Sequence, residues 1–178
     1  MGTGILICGL NGAGKSTLGK ALAEKLRFHY IDNENLYFPK TDPHYLYASP
    51  RTREEAEALL LREIKSHENF ILSAVKGDYG EAFHLFLQYI VWLRVPRDIR
   101  IQRVKARSFQ KFGARMLPGG DLYQQEAQFF HMAQSRPERF VEEWVTSLDR
   151  PVLQIDGTRS VEENTNLIIQ NIQKRTNG

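Results

Sequence analysis

The stretch GLNGAGKST, residues 9–17, has the residue types and spacing of a Walker A motif: Gly9, four residues, then Gly14, Lys15 and Ser16. Glycines let successive backbone N–H groups wrap a polyphosphate with no Cβ in the way. The Lys15 ammonium can then neutralise the β- and γ-phosphates, and the Ser16 hydroxyl can bind Mg²⁺. We therefore expect a nucleotide to contact the loop and the first turn of the next helix, at Gly9, Asn11, Gly12, Ala13, Gly14, Lys15, Ser16 and Thr17.

Two carboxylates follow a second apolar run in the segment IDNENLY, at Asp32 and Glu34. Residues i and i+2 of an extended strand face the same way, so both side chains can point into the crevice at the carboxyl ends of parallel strands. Open α/β sheets bind their ligands in that crevice. The alternative interpretation is a solvated strand end with two surface acids.

Arginines recur at helical spacing in the segment RDIRIQRVKARSFQKFGAR. Arg100, Arg103 and Arg107 fall on one helical face, and Arg115 follows in a glycine-containing loop. Arginines that arrive with a closing lid can neutralise charge on a transferred phosphoryl group while excluding water. Arg136, in the next helical region, is placed to reach back toward the same point. A solvated basic face is the alternative for each of them.

Alternating strand and helix patterns must position these residues. Five short apolar runs predict strands at 4–8, 28–31, 69–75, 89–95 and 151–155. Amphipathic helical patterns separate them, which predicts βα units, a parallel sheet and a three-layer α/β sandwich. Capping boxes are predicted for three helices, from the pairs Thr52 and Glu55, Ser135 and Glu138, and Ser160 and Glu163.

Two segments lack this periodicity. Residues 108–125, SFQKFGARMLPGGDLYQQ, are rich in glycine with one proline, which predicts a mobile loop between two helices. Residues 33–53 contain three prolines and several tyrosines, which predicts an irregular connection after the second strand.

Length and composition indicate one globular domain over residues 1–178, with a mass of 20.6 kDa. The chain is 42% hydrophobic and 25% charged, which excludes disordered and collagen-like classes. No apolar run is long enough to cross a bilayer, so we expect a cytoplasmic protein without membrane partners, as a monomer or homodimer. The net charge of +3 is no nucleic-acid signature unless it is clustered. The single cysteine, Cys8, is expected to be a buried thiol.

A P-loop starting at residue 9, a chain under 200 residues and five strand signals together resemble the small P-loop kinases, the group of adenylate, shikimate and gluconate kinases. The resemblance covers the whole chain in layout and is specific in motif for residues 9–17. It implies a sheet of order 2-3-1-4-5, ATP with Mg²⁺ as phosphoryl donor, a small helical lid at about 108–121 and an acceptor-binding segment at about 32–65.

The resemblance also implies roles for particular residues. Asp32 matches the acid near the metal in shikimate kinases, which makes it the candidate for a catalytic residue that serves the metal or acts as the base, and Glu34 matches the acid that holds their acceptor. Ser73 stands where many P-loop proteins carry a magnesium-binding aspartate, so Ser16 and Asp32 are the expected magnesium ligands. Nucleoside monophosphate kinases often have Asp-Gly there, so the resemblance implies an acceptor loop of the shikimate-kinase type for residues 73–78 rather than a nucleoside monophosphate site. The other implied site residues are Lys15 with the lid arginines Arg103, Arg107 and Arg115, the acceptor loop Lys76, Gly77 and Asp78, and Gly157 and Thr158 beside the adenine.

Three functions remain open from the sequence. The first is an ATP-dependent kinase of a small molecule that carries a hydroxyl or a phosphate. The second is a nucleotide or nucleic-acid end kinase, which the basic helix and the tyrosines at 37, 45 and 47 favour. The third is a P-loop NTPase that acts as a nucleotide-dependent switch for a partner. The short chain argues against the switch, and the acidic pair together with the glycine- and proline-containing lid argues for an acceptor pocket.

Overall fold

A computed structural model describes residues 2–176 and contains one five-stranded parallel sheet of order β2-β3-β1-β4-β5. This order confirms the predicted one. The strands are β1 (Gly4–Cys8), β2 (His29–Asp32), β3 (Phe70–Ala74), β4 (Leu87–Arg94) and β5 (Val152–Asp156). Every residue of β1 and β3 is buried, because both faces of a central parallel strand are covered.

Helices cover both faces of the sheet and connect its strands. They are α1 (Lys15–Leu26), α2 (Asn33–Tyr37), α3 (Arg53–Ser66), α4 (Gly80–His84), α5 (Arg97–Phe112), α6 (Tyr123–Ser135), α7 (Arg139–Thr146) and α8 (Val161–Thr176), with a 3-10 helix at Gly113–Met116. No helix in residues 2–176 is both long enough and apolar enough to cross a membrane.

The core has two halves, one on each face of the sheet. Successive β1 side chains alternate between them: Leu6 and Cys8 pack with residues of α3 and α7, while Ile5 and Ile7 pack with residues of α1 and α8. Cys8 is fully buried and free, as predicted, and burial raises the pKa of its thiol to about 12.

Two of the three predicted capping boxes are confirmed, at Thr52–Glu55 and Ser160–Glu163. The third is wrong. Ser135 is the last residue of α6, where its hydroxyl donates to the Met132 carbonyl, and Glu138 lies before α7 with its carboxylate paired to Arg100 of α5. An ion pair across the fold thus takes the glutamate that the local pattern assigned to a cap.

Both segments predicted to be irregular contain helix. Helix α5 runs on through Phe112, so the predicted loop at 108–125 is reduced to the 3-10 helix and the turn that leads into α6 at Tyr123. Phe112 is buried against Tyr45 and Tyr47, which explains why the helix continues there. Residues 33–37 form α2, because the Asp32 carboxylate caps it by accepting from the Glu34 N–H.

Candidate active site

The predicted site residues gather at one edge of the sheet, because all five strands are parallel and end there. The P-loop follows β1, Asp32 ends β2, residues 76–78 follow β3, α5 follows β4 and Gly157 follows β5. This edge is the crevice in which open α/β sheets bind ligands.

The P-loop backbone requires its glycines. Gly9, Gly12 and Gly14 have φ values of 153°, 82° and 93°, a region that favours glycine. A Cβ on Gly12 would lie 2.2 Å from the Arg100 carbonyl oxygen, and one on Gly9 would lie 2.5 Å from the Leu93 carbonyl oxygen. The loop therefore packs directly on the backbone behind it, which fixes its path.

Arg100 is buried behind the P-loop and binds its backbone instead of pointing into the crevice. Its side chain is 1% exposed and donates from Nε to the Val95 carbonyl at 3.1 Å and from Nη1 to the Asn11 carbonyl at 3.2 Å. Its Nη2 pairs with Glu138. The predicted common face of Arg100, Arg103 and Arg107 is thus divided, since Arg100 points into the protein and the other two are exposed.

Lys15 is the cation at the centre of the loop. Its Nζ donates to the Leu10 carbonyl at 3.0 Å, and no carboxylate among the described residues forms an ion pair with it. Burial, and after it the nearby Arg107, lower the pKa of Lys15 to about 8. A bound polyphosphate would favour the charged ammonium and raise this pKa again.

We therefore expect Lys15 to gain a proton when nucleotide binds at a pH above the pKa that its amine has in the unliganded protein. At about pH 7 the amine is already charged, so we expect little uptake, whereas at about pH 9 we expect a large fraction of one proton and weaker affinity. Calorimetric titration with ADP in two buffers of different ionisation enthalpy measures the uptake. The Lys15→Arg variant is the control, because a guanidinium does not titrate in this range. Equal uptake in that variant would show that another group is responsible.

Ser16 and Asp32, the expected magnesium ligands, both contact the hydroxyl of Tyr30. The Tyr30 hydroxyl donates to Asp32 Oδ2 at 3.1 Å and also contacts the Ser16 and Ser73 hydroxyls. Burial raises the pKa of Tyr30 to about 12, so it stays protonated. A serine hydroxyl and a carboxylate are hard oxygen donors of the kind Mg²⁺ prefers, and the pair therefore fits this ion.

Ser73 does not replace the missing aspartate as a ligand group. It is buried on β3 beside Asp32 in the register, and its hydroxyl donates to the Lys15 carbonyl at 3.0 Å. Ser73 thus anchors the start of α1, while Asp32 supplies the carboxylate at this edge of the sheet.

Asp32 and Glu34 do not share a strand face, which corrects the prediction from their spacing. Asp32 ends β2 and caps α2, so Glu34 lies in the first turn of that helix. The Glu34 carboxylate accepts from Lys40 at 2.9 Å, from Tyr47 at 3.1 Å and from Lys111 at 3.5 Å. Glu34 therefore belongs to a separate polar cluster on the acceptor side.

Two cavities meet at this edge. The first, which we call the nucleotide cavity, has a volume of about 350 Å³ and is lined by P-loop residues together with Arg103, Arg107 and Gly157. Arg103 Nη1 donates to the Gly157 carbonyl at 3.3 Å, which connects α5 to the loop after β5. Thr158 is turned back on Asp156, whose carboxylate accepts from both its N–H and its hydroxyl.

The second cavity, which we call the acceptor cavity, has a volume of about 530 Å³ and lies beside the P-loop. Its polar lining includes the predicted residues Glu34, Lys76 and Asp78, and also Lys111 and Arg136. Gly77 is not part of the lining, because it packs against Leu6 and Trp144. Seven aromatic side chains also line the cavity: Tyr37, Phe38, Tyr45, Tyr47, Tyr79, Phe129 and Phe140.

Arg107 lines both cavities. Within residues 2–176 its guanidinium forms no hydrogen bond and no ion pair, although it lies close enough to Lys15 to influence the pKa of that amine. It is the free cation at the junction of the two spaces. Arg115 takes no such position: it is bound to Asp121 and to the His44 carbonyl, and it lines neither cavity.

A family model described as an AAA domain (AAA_18) matches residues 5–131, which is more than two thirds of the chain. The chain belongs to this P-loop AAA-domain family. YqaC of Bacillus subtilis (strain 168), an uncharacterized protein, is 31% identical over 173 residues, covering 93% of this chain and 94% of YqaC.

Proteins with named activities share less sequence identity with this AAA-domain protein than YqaC does. A shikimate kinase of Microcystis aeruginosa (strain NIES-843 / IAM M-2473) is 26% identical over 111 residues, or 58% of each chain. The structure of deoxyadenosine kinase from M. mycoides with bound dATP superimposes with a TM-score of 0.60 at 17% identity, covering 95% of this chain and 98% of that one. The fold is therefore shared, whereas the substrate differs from one neighbour to the next.

A second group of side chains in this AAA-domain protein could bind a metal ion. His29, Glu63 and His67 place one possible ligand atom each within 4.8 Å of one another. They lie at the start of β2 and the end of α3, at the opposite edge of the sheet from the P-loop. This cluster cannot supply ligands to an ion bound at Ser16 and Asp32.

Proposed function

We propose that this protein is an ATP- and Mg²⁺-dependent phosphotransferase that moves the γ-phosphoryl group to a small molecule bound in the acceptor cavity. The observation that carries the proposal is the position of Arg107, an unpaired guanidinium that lines both the nucleotide and the acceptor cavity. A phosphoryl group in transfer passes between two such spaces, and its spread negative charge is stabilised by a preorganised cation.

The other residues have consistent roles in this proposal. The P-loop backbone and Lys15 hold the β- and γ-phosphates, and Ser16 and Asp32 are the groups that would hold Mg²⁺. When bound, the ion neutralises charge on the β- and γ-phosphates. Lys15 and Arg107 then flank the moving group from the donor side and from the junction.

A nucleotide-dependent switch, the alternative from the sequence, does not require a second cavity such as the acceptor cavity beside the γ-phosphate. The acceptor cavity is large enough for a small molecule and holds both charged and aromatic groups. These features favour transfer over regulated hydrolysis.

The role of Asp32 can be tested with Asp32→Asn. The amide oxygen can still cap α2, so the fold should persist, but the negative charge that would face Mg²⁺ is lost. We expect kcat for acceptor-dependent ADP formation to fall about 10²-fold or more, with ADP affinity in the absence of Mg²⁺ nearly unchanged. Asp42→Asn is the matched control, because Asp42 caps an exposed turn away from the P-loop. Transfer at the wild-type rate in Asp32→Asn would remove Asp32 from the site.

The proposed activity itself is tested by ADP release in a panel of possible acceptors: nucleosides, nucleoside monophosphates, sugars, sugar phosphates and sugar acids. We expect one class to stimulate ADP formation at least about tenfold over ATP alone. Stimulation by none of them, with ATP still bound, would contradict the proposal and favour the switch.

A further inference from the structure

We propose that the acceptor is a nucleoside 5′-monophosphate, and that the atom which receives the phosphoryl group is an oxygen of its phosphate. This inference rests on the proposed function and narrows it to one substrate class. It departs from the shikimate-like acceptor loop that the sequence of residues 73–78 implies. Three independent features of the acceptor cavity support it: its unpaired guanidiniums, its engaged carboxylates and its aromatic wall.

The unpaired guanidiniums lie at the P-loop end of the cavity. Lys111 pairs with Glu34 and Lys76 lies 3.7 Å from Asp78, but no carboxylate of the described chain pairs with Arg107 or Arg136. Arg136 is half-buried, and its Nη1 donates to Asn11 Oδ1 of the P-loop at 2.9 Å. A half-buried guanidinium without a carboxylate partner, such as that of Arg136, is costly unless an anion binds to it. Together with the exposed guanidinium of Arg107, it suits the two negative charges of a phosphate monoester.

Neither Asp32 nor Glu34 is free to act as the base that a hydroxyl acceptor would need, because Asp32 would hold Mg²⁺ in the proposed function and Glu34 is paired with two lysines. Asp32 accepts from the Glu34 N–H and from the Tyr30 hydroxyl, one bond to each carboxylate oxygen. The Glu34 carboxylate is paired with two cations already, since Lys40 lies 2.9 Å and Lys111 3.5 Å from its Oε1.

A phosphate acceptor needs no base. The second pKa of a phosphate monoester is about 6, so its oxygens are ionised at neutral pH. One of them forms the new bond to the γ-phosphorus, the bond from that phosphorus to the β–γ bridging oxygen breaks, and ADP leaves with the electron pair. The products are ADP and a nucleoside diphosphate, and no proton has to be removed from the acceptor.

Helix α5 shows where the rest of the acceptor must lie. Arg103, Arg107 and Lys111 occur at intervals of four residues, hence about 6 Å apart along the helix axis. Arg103 lines the nucleotide cavity and Arg107 lines both cavities. Of these two cavities, Lys111 lines the acceptor cavity alone. The surroundings of Lys111 are therefore about one helical turn beyond the transfer point.

That far part of the cavity is aromatic. The Tyr47 ring packs edge-on against Phe38, with centroids 5.1 Å apart, and against Tyr45, with centroids 5.5 Å apart. Lys111 lies over the same Tyr47 ring and contacts its hydroxyl. Aromatic walls suit a flat base, which they can stack or enclose, and Glu34 and Lys111 offer hydrogen bonds to its edge. A polyhydroxylated acid would leave this surface without a matching partner.

The experiment compares matched acceptors, each incubated with the protein, ATP and Mg²⁺. Each nucleoside 5′-monophosphate is tested beside its own nucleoside, ribose 5-phosphate and gluconate. We expect at least one monophosphate to stimulate ADP formation about tenfold or more, with its diphosphate as the product and no stimulation by the nucleoside. Stimulation by a nucleoside, ribose 5-phosphate or gluconate instead would overturn this inference and leave the proposed function standing. Stimulation by none would overturn both.

The Arg136→Gln variant tests the phosphate end of the site. We expect KM for the monophosphate to rise about tenfold or more while KM for ATP changes less than about twofold. Arg139→Gln is the matched control, because Arg139 is exposed on α7 and pairs with Glu143. Equal increases in both KM values would mean that Arg136 serves only to position Asn11 in the P-loop, and would contradict its assignment to the acceptor phosphate.

Discussion

Replacing Arg107 with glutamine is expected to lower kcat for phosphoryl transfer about 10³-fold, because a cation that meets the transferred group contributes on this order. Arg107 is exposed and forms no hydrogen bond in the described chain, so its loss should cost little stability. ADP affinity should fall by no more than about threefold, since the P-loop and Lys15 remain.

Single-turnover and steady-state rates, measured with and without acceptor, distinguish a slower phosphoryl transfer from weaker nucleotide binding. Lys105→Gln is the matched control, as Lys105 is an exposed cation on the same helix and lines neither cavity. A loss of ADP affinity with an unchanged rate of transfer at saturation would mean that Arg107 only binds the nucleotide.

Replacing Arg100 with methionine is expected to lower the free energy of unfolding by about 3 kcal/mol, because buried acceptors would lose their donors. The substitution keeps much of the side-chain volume but leaves the Val95 and Asn11 carbonyls without the guanidinium, and it breaks the pair with Glu138. Since Asn11 belongs to the P-loop, ADP affinity should fall as well.

Urea denaturation of the unliganded protein measures the change in stability. Lys105→Met, the same substitution at an exposed position of α5, should change it by less than about 0.5 kcal/mol. A loss below about 1 kcal/mol in Arg100→Met would show that the loop does not depend on this arginine.

Much of the architecture could be predicted because it follows from local patterns. Short apolar runs that alternate with capped helices define a parallel sheet, and the Walker A spacing places the nucleotide at the end of β1. Arg103, Arg107, Lys76 and Asp78 were predicted from their positions after β4 and β3, and the structure brings all four to the two cavities.

What could not be predicted depends on pairing between distant segments. Glu138 satisfies the local pattern of a capping box, but Arg100 takes its carboxylate from 38 positions away. Arg100 and Arg107 look alike on a helical wheel, although one is buried under the P-loop and the other is free.

The contacts around the acceptor cavity could not be predicted either, because they also join distant segments. The tyrosines of residues 37–47 lie in a segment without periodicity, so their convergence with Phe112 and Lys111 had no signal in the sequence. The glycines of residues 113–120 predicted a long flexible loop, but packing of Phe112 extends α5 up to them. Tertiary packing decided both outcomes.

The central claim is that the γ-phosphoryl group moves to an acceptor and not to water. The direct measurement is the fate of the label from [γ-³²P]ATP, incubated with the protein, Mg²⁺ and a mixture of nucleosides, nucleoside monophosphates, sugars and sugar acids, followed by chromatography. We expect label in an organic product in an amount equal to the ADP formed, and loss of that product in Arg107→Gln. Label found solely in inorganic phosphate, at a rate that no acceptor changes, would contradict it.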